Sequence, residues 1–373
     1  MPTCIRPSLR LNCRLFQRRL PQFPSHFGRP KPCRVLLRAM ASSRYAAAFA
    51  SPNGPGDARP TTLDVIRHEG LEGQLKDKVM LVTGCSSGLG IETARALSAT
   101  GARLFCTARS IKKGEEALAD VLELGRVDLL ELQLDSLNSV RTCARDFLSK
   151  SKTLNVLVCN AGIMMPPYAK TADGFESQFA TNHLGHFLLF NLLKEALFAG
   201  SSSSFGSRVV VVASMGHRGG GIRFDDINLE NDYTPSKGYA QSKTANIYMA
   251  NEIERRYGAR GVHALSLHPG GIATGLQIHM DPNLKERWAS NPDVVKGTMS
   301  PAQGAATQVL AAVGNEFEGK GAKYLEQCSE SGPVEAGYTV MDTGYETWAF
   351  DKDKEQKLWI ESLKMVGLNE QDE

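Results

Sequence analysis

The eight cysteines form no Cys-x-x-Cys pair, which speaks against a disulfide framework. Cys85, Cys106 and Cys159 fall in or beside expected buried strands. They read as reduced, space-filling residues of an intracellular protein. No apolar run is long enough to span a bilayer; the valine-rich residues 209–212 are far too few and read as a buried strand. Residues 1–44 contain no acid. They hold nine Arg and one Lys, whereas the whole chain carries only +3. The remainder is therefore net acidic, which argues against nucleic acid as its partner. What is present is ordinary for a soluble globular protein: 373 residues, 42% hydrophobic and 22% charged.

Residues 1–60 do not read as core. Leu9, Cys13, Phe16 and Leu20 recur at helical spacing, with Arg10, Arg14 and Arg18 on another face. Arg-rich, acid-free and amphipathic is the pattern of a mitochondrial transit segment. A disordered tail is the plainer alternative, and Met40 as the true start is a third. The expected location is the cytoplasm, or the mitochondrion if residues 1–40 act as a transit segment. The whole stretch to residue 60 is expected to supply no strand and no catalytic group, and to be dispensable for folding.

From residue 78 onward, apolar strands alternate with helical patterns. Strands are expected near 78–83, 103–107, 127–134, 154–160, 207–214, 262–268 and 322–325. Helices are expected near 88–98, 110–124, 136–149, 175–197, 239–257 and 301–313. Repeated β-α units of this length require right-handed crossovers and a parallel sheet covered on both faces. The fold class is thus α/β, a Rossmann-type doubly wound sheet in one domain over residues 61–373.

Gly84, Cys85, Ser86, Ser87, Gly88, Leu89 and Gly90 form a glycine-rich turn after the first strand and open the next helix. Gly84 permits the tight turn, Gly88 lets the backbone approach a pyrophosphate, and Gly90 allows close packing. The helix N-terminus then faces the phosphates. The second strand ends in Thr107-Ala108-Arg109, followed by Lys112 and Lys113 and no acid. Cations at a helix start oppose the helix dipole, so their presence suggests an anionic ligand. NADP(H) is favoured over NAD(H), the ribose 2′-phosphate meeting Arg109 and Lys113. Asp135, after the third strand, either holds the adenine amino group or caps a helix. Asn160, Ala161 and Gly162 follow the fourth strand, where small residues let a ribose lie close.

Tyr239 and Lys243 lie four residues apart and share a helix face. An ammonium beside a phenol is expected to lower the phenol's pKa, so that Tyr239 can exchange a proton with an alcohol oxygen. Ser214 ends the fifth strand, pointing into the same crevice. Asn182, in the long helix, either anchors a relay water or is a satisfied core amide.

These motifs, in this order, resemble the short-chain dehydrogenase/reductase family across roughly residues 75–330. His268, Pro269, Gly270, Ile272 and Thr274 fit that family's loop against the nicotinamide amide. Cys159 replaces a common Asn, a change expected to be harmless. The long segment between Ser214 and Tyr239, with His217 and residues 221–228, is similar to the retinol dehydrogenase and WW-domain oxidoreductase branch, which includes fungal enzymes of specialised metabolism. No paired-Trp module precedes residue 78; the three Trp are 288, 348 and 359. The resemblance implies hydride transfer between NADP(H) and a carbonyl or carbinol carbon. Tyr239 would then be the acid or base and Ser214 would orient the oxygen. Lys243 would tune Tyr239 and bind ribose, and Asn182 would hold a relay water.

Residues 276–299, with Met280, Leu284, Trp288 and Met299, lie where that family carries its substrate lid. They would line a pocket for a lipophilic molecule, or form an ordinary amphipathic helix on the core. A homodimer is compatible with the resemblance. Two other classes compete: a catalytically silent NADP-binding regulator, against which intact Ser214, Tyr239 and Lys243 argue, and an NADP-dependent epimerase or dehydratase.

Overall fold

Residues 43–370 are described, from a computed structural model. Strand β1 (Val79–Val82) has all four residues buried. So does β4 (Val156–Cys159), and all six residues of β5 (Ser207–Val212) are buried. Such near-continuous apolar runs suit a parallel sheet covered on both faces. Strands β2 (Arg103–Ala108), β3 (Val127–Glu131), β6 (Val262–Leu267) and β7 (Lys323–Glu326) join them in parallel. The order is β3-β2-β1-β4-β5-β6-β7-β8, β8 being Ser329–Ser331. Residues of β1 alternate between two cores: Val79 and Leu81 face one, Met80 and Val82 the other. Strand order reverses between β1 and β4, which opens a crevice beyond their C-terminal ends, where α/β sheets bind ligands.

Helix α1 (Ala46–Ala50) precedes α2 (Thr62–His68). Helix α3 (Leu89–Ala99) follows β1, α4 (Ile111–Ala117) follows β2, and α5 (Leu137–Lys150) follows β3. A short α6 (Ser177–Phe179) and a π-helical turn (Ala180–Leu184) lead into α7 (Gly185–Gly200). Helix α8 (Pro235–Tyr257) follows β5. Then come α9 (Pro282–Ala289), α10 (Pro292–Gly297), α11 (Pro301–Gly304) and α12 (Ala306–Val313). Helices α5, α7 and α8 pack on one face of the sheet; α2, α3 and α12 pack on the other. No helix of the described residues is long and apolar enough to cross a membrane.

Three features depart from expectation. Helix α4 stops at Ala117, not near 124. The sheet does not close at β7, because β8 (Ser329–Ser331) adds an antiparallel edge. A last helix, α13 (Lys352–Met365), then returns to cover α7 and α8. Its Trp359 meets Phe187 edge-on at 4.8 Å between ring centres. His183 and Ser362 share a 2.8 Å hydrogen bond. The cue for α13 was local: Asp351 caps it by accepting from the Lys354 amide, ahead of Leu358, Ser362 and Val366 at helical spacing.

Residues 43–60 also pack on the body. Tyr45 and Phe49 are buried beside Val65 and Ile66, and Arg59 is only 4% exposed. The segment is rich in Pro, Gly and Ser, which masked two aromatic anchors and a cation whose partners lie far along the chain. Residues 1–42, including the Arg-rich helical pattern and Met40, lie outside the described residues.

Candidate active site

The glycine turn takes the conformation its composition demands. Gly84 (φ +74°) and Gly88 (φ +60°) adopt left-handed backbone that side chains oppose. A Cβ on Gly84 would lie 2.8 Å from the Ala161 Cβ, and one on Gly90 would lie 2.1 Å from the Gly84 carbonyl oxygen. Gly88 caps α3 with no side-chain acceptor, so the first amides of α3 point outward unanswered by a cap. Ser86 is half-buried, Ser87 exposed and Leu89 half-buried. Thr83 ties the turn to the fourth strand: its Oγ1 accepts from the amides of Asn160 and Ala161, each at 3.0 Å. Asn160 Nδ2 donates to the Thr83 carbonyl at 2.8 Å. Glycine turn and residues 160–162 thus form one rigid floor. Across from it sits Thr274, whose Cγ2 lies 3.5 Å from where a Gly88 Cβ would be. Gly270 (φ +101°) lets the loop pass Met299, whose Cε is 2.1 Å from a Cβ placed there. Ile272 is buried beside Gly304 and next to Pro269-Gly270, so the loop packs against α11.

Arg109, Lys112 and Lys113 are exposed past the end of β2. None takes part in an ion pair among the described residues. Ser110 accepts from the Lys113 amide and caps α4. Asp135 is exposed. The cap of α5 is Ser136, accepting from the Ser139 amide. The helix-cap alternative for Asp135 therefore falls.

Ser214 follows β5, and its Oγ accepts from the Gly216 amide at 3.0 Å. Tyr239 and Lys243 lie in the first turns of α8, which Thr234 caps and Pro235 begins. The Ser214 hydroxyl lies near enough to that of Tyr239 to draw the phenol's pKa down. A Cβ on Gly216 would lie 2.7 Å from Tyr239 Cε1 and 3.3 Å from Ser214 Oγ, so only glycine lets the two approach.

The charge relation of Tyr239 and Lys243 differs from expectation. Burial raises the Tyr239 pKa above its ordinary value, with the neighbouring Ser214 hydroxyl opposing it. The Lys243 ammonium lies 5.7 Å from the Tyr239 ring centre and donates to the Val212 carbonyl at 3.0 Å. Burial pulls its own pKa down to about 8. The expected depression of the phenol is absent; desolvation outweighs an ammonium directed elsewhere.

Asn182 sits in the π-helical turn. Its Nδ2 donates to the Ile163 carbonyl at 3.0 Å and to Ser242 Oγ at 2.9 Å. Its Oδ1 accepts from the Ile163 amide at 2.8 Å. Both amide hydrogens are committed, so the side chain is a satisfied core amide joining the 162–163 loop to α8. It offers no free donor to a relay water.

Met164 and Met280 are buried against Tyr239, with Met165 and Leu284 packed beside them. Of the four residues named in the 276–299 segment, Met280 and Leu284 lie in this cluster. Trp288 is 43% exposed, and the buried Met299 amide donates to the Gly271 carbonyl at 2.8 Å beneath the loop. Met164 and Met165 were missed, although they follow Asn160-Ala161-Gly162 directly. A role for His217 was missed too. Its Nε2 accepts from the Glu346 amide at 3.2 Å, so Nδ1 carries the proton and donates to the Ser214 carbonyl at 2.6 Å. Burial lowers its pKa to about 4, keeping it neutral.

The profile of the short chain dehydrogenase family matches residues 78–285. This chain belongs to that family. It is 55% identical to "Short-chain dehydrogenase/reductase prx1" of Penicillium roqueforti, over 88% of this chain and 96% of that one. It is 37% identical to "Retinol dehydrogenase 14" of Homo sapiens, over 90% of this chain and 97% of the relative. The crystal structure of an uncharacterised protein from Mycobacterium paratuberculosis aligns with a TM-score of 0.60 at 32% identity, over 84% of this chain and 99% of that one. The chain is therefore an oxidoreductase of the short-chain dehydrogenase/reductase type.

Proposed function

We propose that the protein interconverts a ketone or aldehyde and an alcohol on a lipophilic small molecule, using NADP(H). The observation that carries this reading is the close approach of Ser214 and Tyr239 over Gly216, with Lys243 one helical turn away. The residues fit a dinucleotide: two left-handed glycines, uncapped amides at the start of α3, and exposed Arg109 and Lys113 where a 2′-phosphate would lie. Asp135, Asn160, Ala161, Gly162 and the 269–274 loop would bound its other parts. When bound, a reduced nicotinamide supplies the hydride.

The chain's own groups do the rest. Ser214 donates to the carbonyl oxygen and holds it against the Tyr239 hydroxyl. Tyr239, kept protonated by burial, gives its proton to that oxygen as the carbon accepts the hydride. Carbon and oxygen each gain one hydrogen, and the phenol is left as phenolate for Lys243 to stabilise. Lys243 also serves the nicotinamide ribose. Met164, Met165, Met280 and Leu284 exclude water and favour apolar substrate. Following the sequence resemblance, the proposal extends to specialised metabolism.

A screen of lipophilic ketones and aldehydes for NADPH oxidation by the purified protein tests the reading. No turnover across such a panel would overturn it. Cofactor choice is a separate expectation. NADPH should bind at least about tenfold tighter than NADH, about 1.4 kcal/mol, as read by fluorescence titration. Equal affinities would remove the role given to Arg109.

A further inference from the structure

We infer that Arg59, with the strap of residues 53–59 around it, positions the lid that covers the substrate side of the site. This rests on the proposed function, in which Met280 and Leu284 wall the substrate. The lid leaves the nicotinamide-side loop at Thr274, passes Met280 and Leu284 over Tyr239, and returns through α10. Its two ends are joined, because the Met299 amide donates to the Gly271 carbonyl at 2.8 Å.

The strap grips the returning end. Arg59 Nη1 donates to the Gly297 carbonyl at 2.7 Å. Nη2 donates to the carbonyls of Thr298 at 2.7 Å, Lys296 at 3.3 Å and Gly54 at 3.1 Å. Nε pairs with Asp57 at 2.9 Å. Three of these carbonyls end α10, so a buried guanidinium answers the orphan acceptors and negative end of that helix. The Gly54 amide adds a bond to the Lys296 carbonyl at 2.9 Å. On the next turn, Gln303 donates to the Asp57 and Arg59 carbonyls and accepts from the Gly56 amide. The strap is thereby anchored to α11 while it holds α10.

Only a planar fork reaches this many carbonyls in different directions from one side chain. Elsewhere the lid is lightly held: Ile278 is 73% exposed, Trp288 43% and Val295 45%, and neither α9 nor α10 contains a buried residue. Where α10 sits fixes how closely Met280 and Leu284 lie over Tyr239. Arg59 touches none of the reacting atoms; it is a positioning residue whose effect falls on substrate binding.

The test compares the full-length protein with Arg59→Ala and Arg59→Lys. Three readouts are used: substrate KM and kcat, NADPH affinity by fluorescence, and the rate of tryptic cleavage after Lys285 and Arg287. Arg59→Ala is expected to raise KM and speed lid cleavage by about tenfold each, with kcat and NADPH affinity within about twofold. Arg59→Lys, keeping charge and some donors, should recover part of both. Unchanged cleavage in both variants would overturn the inference, as would equal losses in KM, kcat and NADPH affinity. Should Arg59→Ala not fold, Arg59→Lys alone decides, through the same split. Cleavage needs no substrate. Faster lid cleavage in a protein that reduces no carbonyl would support the strap and sink the functional reading, so the two fail separately.

Discussion

Tyr239→Phe should retain NADPH affinity within about twofold and lose turnover by a factor on the order of 10² to 10⁴. The substitution removes one hydroxyl from a side chain that is 6% exposed and leaves its packing against Met164 and Met280 in place. Only the proton donor goes. Lys243→Ala should behave differently, weakening NADPH binding and turnover together, because one ammonium would serve both ribose and phenolate. The separation matters because the two groups are not directly coupled in the free protein: the ammonium is held by the Val212 carbonyl, and burial keeps the phenol protonated. Stopped-flow reduction and fluorescence titration read the two quantities independently. Normal turnover by Tyr239→Phe would mean that another group supplies the proton, and Ser214 would be the first to examine.

What was legible in the sequence is what depends on short spacing. The Gly84–Gly90 turn follows from a strand, glycines and a helix start within a dozen residues, and Tyr239 and Lys243 from one helical turn. The β-α alternation survives because each strand is a continuous apolar run with its own boundaries. What was not legible depends on partners remote in sequence. Asn182 carried two readings, and only its remote partners Ile163 and Ser242, which take both amide hydrogens, favour the core amide. The Tyr239 pKa was expected to fall because Lys243 is near in sequence, yet the walls that desolvate it include Met280, far downstream. Asp135 carried two readings, and Ser136 settled one of them by capping α5 itself. Arg59 read as part of a non-core arm because its acceptors at residues 296–298 lie some 238 residues away. Edge strand β8 has three residues and no apolar alternation to announce it.

The same remoteness sets the second large effect. A chain beginning at Thr61 should be markedly less stable than one beginning at Ser43, and should bind substrate more weakly. The comparison isolates residues 43–60. Among these, Tyr45 packs on His68 of α2, ring centres 5.7 Å apart, and Tyr45 and Phe49 are buried in the core that holds Val65 and Ile66; burying an aromatic of this size contributes about 1.5–3 kcal/mol. Their removal strips one side of α2, which itself covers α3 and α12. The cap of α2 survives, since Thr61 and Asp64 form it between them, so the helix starts correctly and loses only its cover. The Ser43 hydroxyl bond to the Cys328 carbonyl, at 3.2 Å, is lost as well. Against this stands the ordering entropy of the segment, which the truncated chain no longer opposes. The expected net is a loss of about 2–3 kcal/mol, read as a melting midpoint about 5 °C lower or more. The missing strap would also free α10, so KM should rise as in Arg59→Ala while NADPH affinity, set by the glycine turn and the cations after β2, changes little. Equal midpoints and equal KM for the two chains would return residues 43–60 to the dispensable tail that their composition suggests.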